Sequence, residues 1–356
     1  VGTNENSLIL GKSQRVFLTG HTGFKGTWLT LLLEAYGHEV IGYSLEAKSK
    51  SLYERLGRKG KIAEFISDIR DVNSLGKCIS DSKPDVVIHM AAQALVLDSY
   101  KLPFETFEIN SQGTANLLKA SLDCNSVKGI AAVTTDKVYR NLGTGVAFKE
   151  DDPLEGKSDP YSASKVGSEA AISAWKKISE VQGGPPIVTL RSGNVVGGGD
   201  YSSDRLIPDL IRSFEDQTPI KIRNIEGTRP WMHVLDSLNG YLLAIDLAMK
   251  EKKSNVFNFA PSDKPLSVGE VISIAKKNWP NNFMVEVEQN ISQNLEATLL
   301  SLDATKAMRE LQWTPHWSQE TSVASTITWW RNILLDGIDP IDVCQSEIRE
   351  SLLNEK

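Results

Sequence analysis

Three cysteines in 356 residues, Cys78, Cys124 and Cys344, are odd in number and widely spaced, which excludes a disulfide framework. With no CxxC pair among them they exclude a structural zinc site as well, and they suit a reducing compartment. The five histidines (His21, His38, His89, His233, His316) show no ligand spacing, so no catalytic metal is expected. No apolar run is long enough to cross a bilayer, and the polar opening VGTNENS does not read as a signal peptide. A cytoplasmic address is expected. Basic charge is not in excess either. The net charge of −6 argues against a nucleic-acid surface, and the short basic run around Arg58 and Lys61 reads as a solvated loop. What remains, 40% hydrophobic and 24% charged, is the composition of a globular chain long enough for a sizeable core and two lobes.

The first strong pattern is RVFLTGHTGFKGTWLTLLLEAYG. Val16 to Thr19 read as a short buried strand, and Gly20, Gly23 and Gly26 fall in the turn that follows. Leu29, Leu32, Leu33 and Tyr36 then carry a helical period that stops at Gly37. Strand, glycine turn and helix start, in that order, make a pyrophosphate cradle. Glycine lets the backbone come close, and the unpaired N–H groups of the helix start favour an anion. The spacing is GxxGxxG, a weak signal alone, and its flanking strand and helix favour a dinucleotide site over a structural turn.

Strand-like and helical segments then alternate. HEVIGYSL, AEFISDI, PDVVIHMAA, GIAAVTTD and PPIVTLRSG are separated by helical stretches, the clearest being FETFEINSQGTANLLKASL and PYSASKVGSEAAISAWKKI. Such alternation predicts an α/β fold, a doubly wound parallel Rossmann sheet with ligands at the carboxyl ends of its strands. The pattern weakens after Gly193. Residues 14–193 with 231–260 are expected to form the cofactor domain, and 194–230 with 261–335 a smaller mixed lobe for the substrate. Residues 1–13 and 336–356 read as terminal extensions, the second charged and expected to pack loosely.

Tyr161 and Lys165, in DPYSASK, stand four apart at the start of a helix that Asp159 and Pro160 mark well. That spacing puts both on one face, where the lysine ammonium lowers the phenol's pKa and makes it a general base toward a hydroxyl. Alone, the pair describes an ordinary surface helix. Thr134, Thr135, Asp136 and Lys137 lie just upstream, at the carboxyl end of GIAAVTTD. Thr135 is placed to bond the oxygen that Tyr161 deprotonates, and Asp136 to act as an acid toward a leaving hydroxyl. Taken singly, TTDK reads as a cap or turn. Beside YSASK and the cradle, the catalytic reading leads.

With these motifs in place the chain resembles the extended short-chain dehydrogenase/reductase family. TGHTGFKG, MAAQ, TTDK and YSASK stand in that family's order across residues 14–335. Within it the chain is similar to the dehydratases of CDP-sugars, with HTGFKG in the cofactor turn and Asp-Lys where dTDP-glucose dehydratases carry Asp-Glu. RSGNVVGGGD, DRLIPDLIRS, IRNIEGTRPWMHV and LQWTPHW match as well. Two stretches depart from the pattern: ALVLDSY carries Leu97 where a basic residue is common, and NLGTGVAFKE lacks the usual tryptophan.

The resemblance implies roles residue by residue. Gly20, Gly23, Phe24, Lys25 and Gly26 approach the pyrophosphate, and Ser44 closes the second strand beside the ribose. Asp68 and Ile69 contact the adenine, while Ala91, Ala92 and Gln93 line the dinucleotide path. Tyr161 and Lys165 also hold the nicotinamide ribose. Asn194, Arg205 and Arg229 grip a sugar nucleotide, the arginines through its diphosphate. NAD is the implied cofactor, although Lys48 and Lys50 would also suit an extra phosphate on NADP, or lie in a solvated loop. The implied activity is conversion of CDP-glucose to its 4-keto-6-deoxy product by a homodimer, feeding deoxysugar synthesis for surface polysaccharide. The rivals are a sugar-nucleotide epimerase and a non-catalytic cofactor sensor.

Overall fold

Seven short, mostly apolar segments build the centre of the molecule. In the computed structural model, which describes residues 9–156, 158–222, 224–280, 283–287 and 300–353, they form one parallel sheet. The strands are β1 (Arg15–Thr19), β2 (Glu39–Ser44), β3 (Ala63–Ile66), β4 (Val86–His89), β5 (Gly129–Val133), β6 (Ile187–Ser192) and β7 (Asn255–Phe259). Their order across the sheet is β7-β6-β5-β4-β1-β2-β3. Succession reverses between β1 and β4, where Thr19 pairs with His89, and the crevice at that switch point is where such sheets bind ligands.

The major helices are α1 (Phe24–Ala35), α2 (Val72–Ser82), α3 (Gly113–Leu122), α4 (Pro160–Gln182), α5 (Leu206–Asp216), α6 (Val234–Glu251), α7 (Val268–Asn278), α8 (Gln319–Leu334) and α9 (Pro340–Leu353). Successive residues of the central strands feed opposite cores. Phe17, Val87, Ile130 and Ala132 join Leu75, Leu117 and Ile172 of α2, α3 and α4 on one face. Val16, Leu18, Ile88 and Ala131 join Trp28, Leu32, Leu238 and Ile245 of α1 and α6 on the other. Both faces are covered, which is why these strands read as apolar runs without alternation. No helix among the described residues is long and apolar enough to cross a membrane.

Helix α4 begins as its sequence predicts. Asp159 accepts a bond from the Ser162 N–H at 2.8 Å, Pro160 takes the first position, and Gly183 ends the helix at φ 66°. Two other stretches differ from expectation. FETFEINSQGTANLLKASL is not one uniform helix: Pro103–Phe107 gives way to a π-helical turn at Glu108–Gln112 before α3 begins. That turn aims the Asn110 side chain at the loop after β4, where Oδ1 accepts from the Gln93 N–H at 2.9 Å and Nδ2 donates to the Gln93 carbonyl at 3.0 Å. The charged carboxyl end forms a helix rather than a loose tail. Cys344 and Ile348, four apart on α9, are buried against the core; the charges around them conceal the narrow apolar stripe.

The remainder of the chain adds short ladders around the carboxyl edge. Val195–Val196 pairs with Met232–His233, Thr228–Arg229 with Leu266–Ser267, and Ile220–Ile222 with Val285–Val287. Together with α5 and α7 they carry the residues expected to meet the substrate.

Candidate active site

The turn from β1 to α1 fits a dinucleotide pyrophosphate. Gly20 sits at φ +80°, and a Cβ there would lie 2.8 Å from the Ala91 nitrogen. A Cβ on Gly26 would lie 2.0 Å from the Gly20 carbonyl oxygen, so no side chain is tolerated. Gly23 is the N-cap of α1 and no side chain caps that helix, so the first-turn N–H groups of Phe24, Lys25 and Gly26 have no intrahelical acceptor. Ala91 donates its N–H to Thr19 Oγ1 at 3.2 Å, which brings the Ala91–Gln93 segment to the edge of the cradle. Ser44 Oγ lies 2.8 Å from Thr22 Oγ1, joining the end of β2 to the same turn.

Several side chains there also have partners within the protein. The Gln93 amide is tied to the Leu95 main chain and to Thr106 Oγ1, so it shapes the loop. The Asp68 carboxylate takes bonds from Arg70, which hold it below the usual carboxylate range. Ile69 is 5% exposed and packs over Gly113, so its side chain serves the core. Lys50 Nζ reaches Tyr201 OH at 3.3 Å.

The chemical residues converge on Tyr161. Thr135 Oγ1 donates to Asp136 Oδ1 at 2.9 Å, and Lys137 Nζ donates to the same oxygen at 3.2 Å. The Thr135 hydroxyl lies close enough to the Tyr161 phenol to act on it. Burial, with Asp136 acting the same way, pushes the Tyr161 phenol above its ordinary value against the downward pull of Lys137, Thr135 and Arg205. Lys137 and Arg205 are thus cations that act on the phenol from outside its own helix. Lys165, 6% exposed, is lowered to about 8 by burial, with Lys25 acting the same way and Glu169 opposing. For Lys137 burial works downward, yet Asp136 and Tyr161 outweigh it and the ammonium is raised above its ordinary value. Lys137 therefore stays a cation at neutral pH.

Asp136 is 3% exposed, and its second oxygen, Oδ2, faces Gly193, where a Cβ would stand only 3.0 Å away. Gly193 precedes Asn194, whose carbonyl accepts from the Met232 N–H at 3.0 Å. Arg205 caps the start of α5 with its Nη1 3.4 Å from Asp200, and its charge acts on Lys25, Lys137 and Tyr161 together. Arg229 lies on its short strand with Nη1 donating to the Thr228 carbonyl at 2.7 Å.

Four polar residues behind this cluster escaped the sequence reading. Lys25 Nζ donates to Tyr241 OH at 2.7 Å and lies 3.4 Å from Ser192 Oγ, and burial with the nearby Arg205 lowers it to about 7. Glu169 and Arg191 form a buried ion pair below Lys165, with Arg191 Nε 2.8 Å from Glu169 Oε1. The available signals were an arginine inside an otherwise apolar strand and a glutamate one turn past Lys165. Among the described residues no cluster of His, Cys, Asp and Glu is placed to hold a metal ion.

Known proteins share this frame. A family model described as GDP-mannose 4,6 dehydratase matches residues 17–326. The CDP-glucose 4,6-dehydratase of Salmonella typhimurium is 37% identical over 350 residues, covering 95% of this chain and 96% of that protein. The UDP-glucose 4-epimerase of Mycoplasma genitalium is 26% identical, covering 85% of this chain and 92% of its own length. Among solved structures, a dTDP-glucose 4,6-dehydratase from Streptomyces venezuelae with NAD and TYD bound superposes with a TM-score of 0.76 at 24% identity, covering 92% of this chain and 99% of that one. A UDP-glucose-4-epimerase from Stenotrophomonas maltophila superposes at 0.77 and 21% identity, covering 91% and 100%. At these identities the structures speak to fold alone. The family match over most of the length, with the 37% relative beside it, establishes that the chain belongs to the GDP-mannose 4,6-dehydratase family.

Proposed function

We propose that this protein is an NAD-dependent nucleotide-sugar 4,6-dehydratase whose substrate is CDP-glucose. The observation that carries the reading is the buried Asp136 carboxylate bonded to Thr135 and Lys137 beside Tyr161, an acid where an epimerase needs none. The CDP-glucose assignment leans on the Salmonella relative.

NAD, when bound, supplies the oxidising and reducing equivalent that leaves C4 of the hexose and returns at C6. Tyr161 takes the proton of the 4-hydroxyl, with the Thr135 hydroxyl orienting that oxygen. Ketone formation at C4 acidifies the C5 proton, which leaves to solvent while the Lys137 ammonium stabilises the negative charge that builds. The Asp136 carboxylate takes up a proton from solvent at Oδ2, since Oδ1 is occupied by Thr135 and Lys137, and passes it to the 6-hydroxyl, which departs as water. A charged Lys137 is not the C5 base, so Lys137→Met is expected to slow both turnover and solvent deuterium exchange at C5 without abolishing the exchange. Complete loss of exchange would restore the lysine as base.

The test of the whole reading is a panel of nucleotide hexoses followed by product mass. CDP-glucose is expected to lose one water and gain a 4-ketone. An unchanged mass with altered stereochemistry means an epimerase, and no conversion of any sugar means a cofactor sensor.

The reading includes a homodimer formed across α4 and the short helices before it. Ala170, Ala174, Ile178 and Val181 make an exposed stripe along α4, and Phe104 and Val181 are 71% and 74% exposed. Neighbouring Tyr100, Leu102 and Phe107 extend the apolar patch, the kind of surface that marks an interface. Gly167, by contrast, serves the interior, where it closes on Ser111. Val181→Glu together with Phe104→Glu is expected to halve the mass in solution; a parent that is already monomeric refutes the dimer. The three free cysteines accord with a cytoplasmic, reducing address, which fractionation of source cells would check.

A further inference from the structure

Glu169 lies one turn beyond Lys165 on α4, is 6% exposed, and has no part in the chemistry above. Its carboxylate is held by three hydrogen bonds from two residues. Arg191 on β6 grips both oxygens, Nε at 2.8 Å from Oε1 and Nη2 at 2.9 Å from Oε2. Thr134 Oγ1, at the end of β5, donates to Oε1 at 2.6 Å. Arg191 is fixed in turn, since its Nη1 donates to Tyr139 OH at 2.8 Å and to the Glu150 carbonyl at 2.9 Å. Because Thr134 directly precedes Thr135 and Asp136, this one carboxylate ties the strand end bearing the acid to the helix bearing Tyr161 and Lys165.

Its charge matters as much as its bonds. Lys165 faces Lys25 from α1 and His89 from β4, and burial together with Lys165 keeps His89 down at about 3 and thus neutral. Glu169 faces Lys165 and Lys176 on its own helix and Arg191 on β6. Burial lowers Lys176 to about 7, with Glu169 opposing. The groups around Glu169 are cations, and its negative charge offsets them.

We infer that Glu169 is a positioning residue for this reaction. Clamped by Arg191 and Thr134, it keeps the Lys165 ammonium charged and holds the Thr134–Asp136 strand end in register with Tyr161. The inference rests on the dehydratase reading for what Lys165 and Asp136 do.

The test is turnover against pH in the full chain carrying Glu169→Gln, Glu169→Asp or Thr134→Val. Parent activity is expected to decline at high pH as Lys165 loses its proton near 8. Removing a neighbouring anion lowers the pKa of a cation, so Glu169→Gln moves that decline to lower pH by about one unit. Glu169→Asp keeps the charge on a shorter arm; its decline stays with the parent's while turnover falls. Thr134→Val drops one hydrogen bond and no charge, so turnover falls by about threefold to tenfold with the decline unmoved.

A Glu169→Gln profile that is lower throughout but declines where the parent does overturns the inference and leaves a purely structural ion pair. If circular dichroism shows that the Gln variant does not fold, the other two decide. An Asp decline displaced from the parent's, or Thr134→Val at parent turnover, overturns it equally. A parent that dehydrates no sugar refutes the proposed function instead. The Lys165 limb is then read from the pH dependence of NAD binding, followed by tryptophan fluorescence, with the same expected shift in Glu169→Gln.

Discussion

Tyr161→Phe is expected to lose turnover by roughly a hundredfold to ten-thousandfold, the usual cost of removing a general base, which is about 3 to 5 kcal/mol of barrier. The fold should survive. The ring stays buried, the Tyr161 N–H keeps its 3.1 Å bond to Ser99 Oγ, and only the hydroxyl is lost. A hydroxyl's hydrogen bonding contributes on the order of 1 kcal/mol to stability, well below the catalytic loss. The two effects are therefore separable by measuring the thermal midpoint and single-turnover rates on the same preparation. A variant that turns over near the parent rate would remove Tyr161 from the role of base.

The parallel sheet was legible because its physics is local. The central strands are buried on both faces, so Val86–His89 and Gly129–Val133 read as apolar runs whatever their neighbours. The start of α4 was legible for a similar reason, since Asp159 caps it through Ser162, three residues on. The site was legible where its residues share a strand end or a helix turn, as Thr135, Asp136 and Lys137 do, and Tyr161 with Lys165. It was not legible where distant polar side chains meet. Lys25 and Tyr241 are 216 positions apart, and Arg191 and Glu169 are 22 apart on different elements. No periodicity records such pairs, because each is set by how the sheet twists its strand ends toward the helices. Effects on Tyr161 from beyond its own helix were lost the same way: helical spacing measures nearness to Lys165, while burial and Lys137, reached through the fold, also act on the phenol. The π-helical turn at Glu108–Gln112 is likewise a tertiary outcome, drawn by the bonds of Asn110 to Gln93 and by its Nδ2 donating to Ser164 Oγ at 2.9 Å.

Asp136→Asn is expected to separate the two halves of the reaction. Oxidation at C4 needs Tyr161, Thr135 and the cofactor but no acid beside the 6-hydroxyl. Elimination does need one, because hydroxide is a poor leaving group. Asparagine keeps the size of the side chain, and its amide oxygen still accepts from Thr135 and from Lys137, so the strand end should hold its shape. What it lacks is a transferable proton on the atom facing Gly193. Loss of a general acid costs on the order of a hundredfold or more in the step it serves. This variant should therefore still form the 4-ketone and then stall with oxygen retained at C6. Quenching with a labelled borohydride would place the label at C4 of a hexose that keeps its 6-hydroxyl, where the parent yields only the 6-deoxy sugar. The absorbance of reduced nicotinamide should also persist in the variant and be at most transient in the parent. Lys137 carries a second consequence, since its raised pKa depends in part on the Asp136 charge and falls when that charge is removed. Enolate stabilisation then weakens at high pH, so the stall should deepen there. If no 4-keto-hexose can be trapped at any pH, Asp136 acts before oxidation, in binding the substrate, and the assignment of water loss to its carboxyl must be given up.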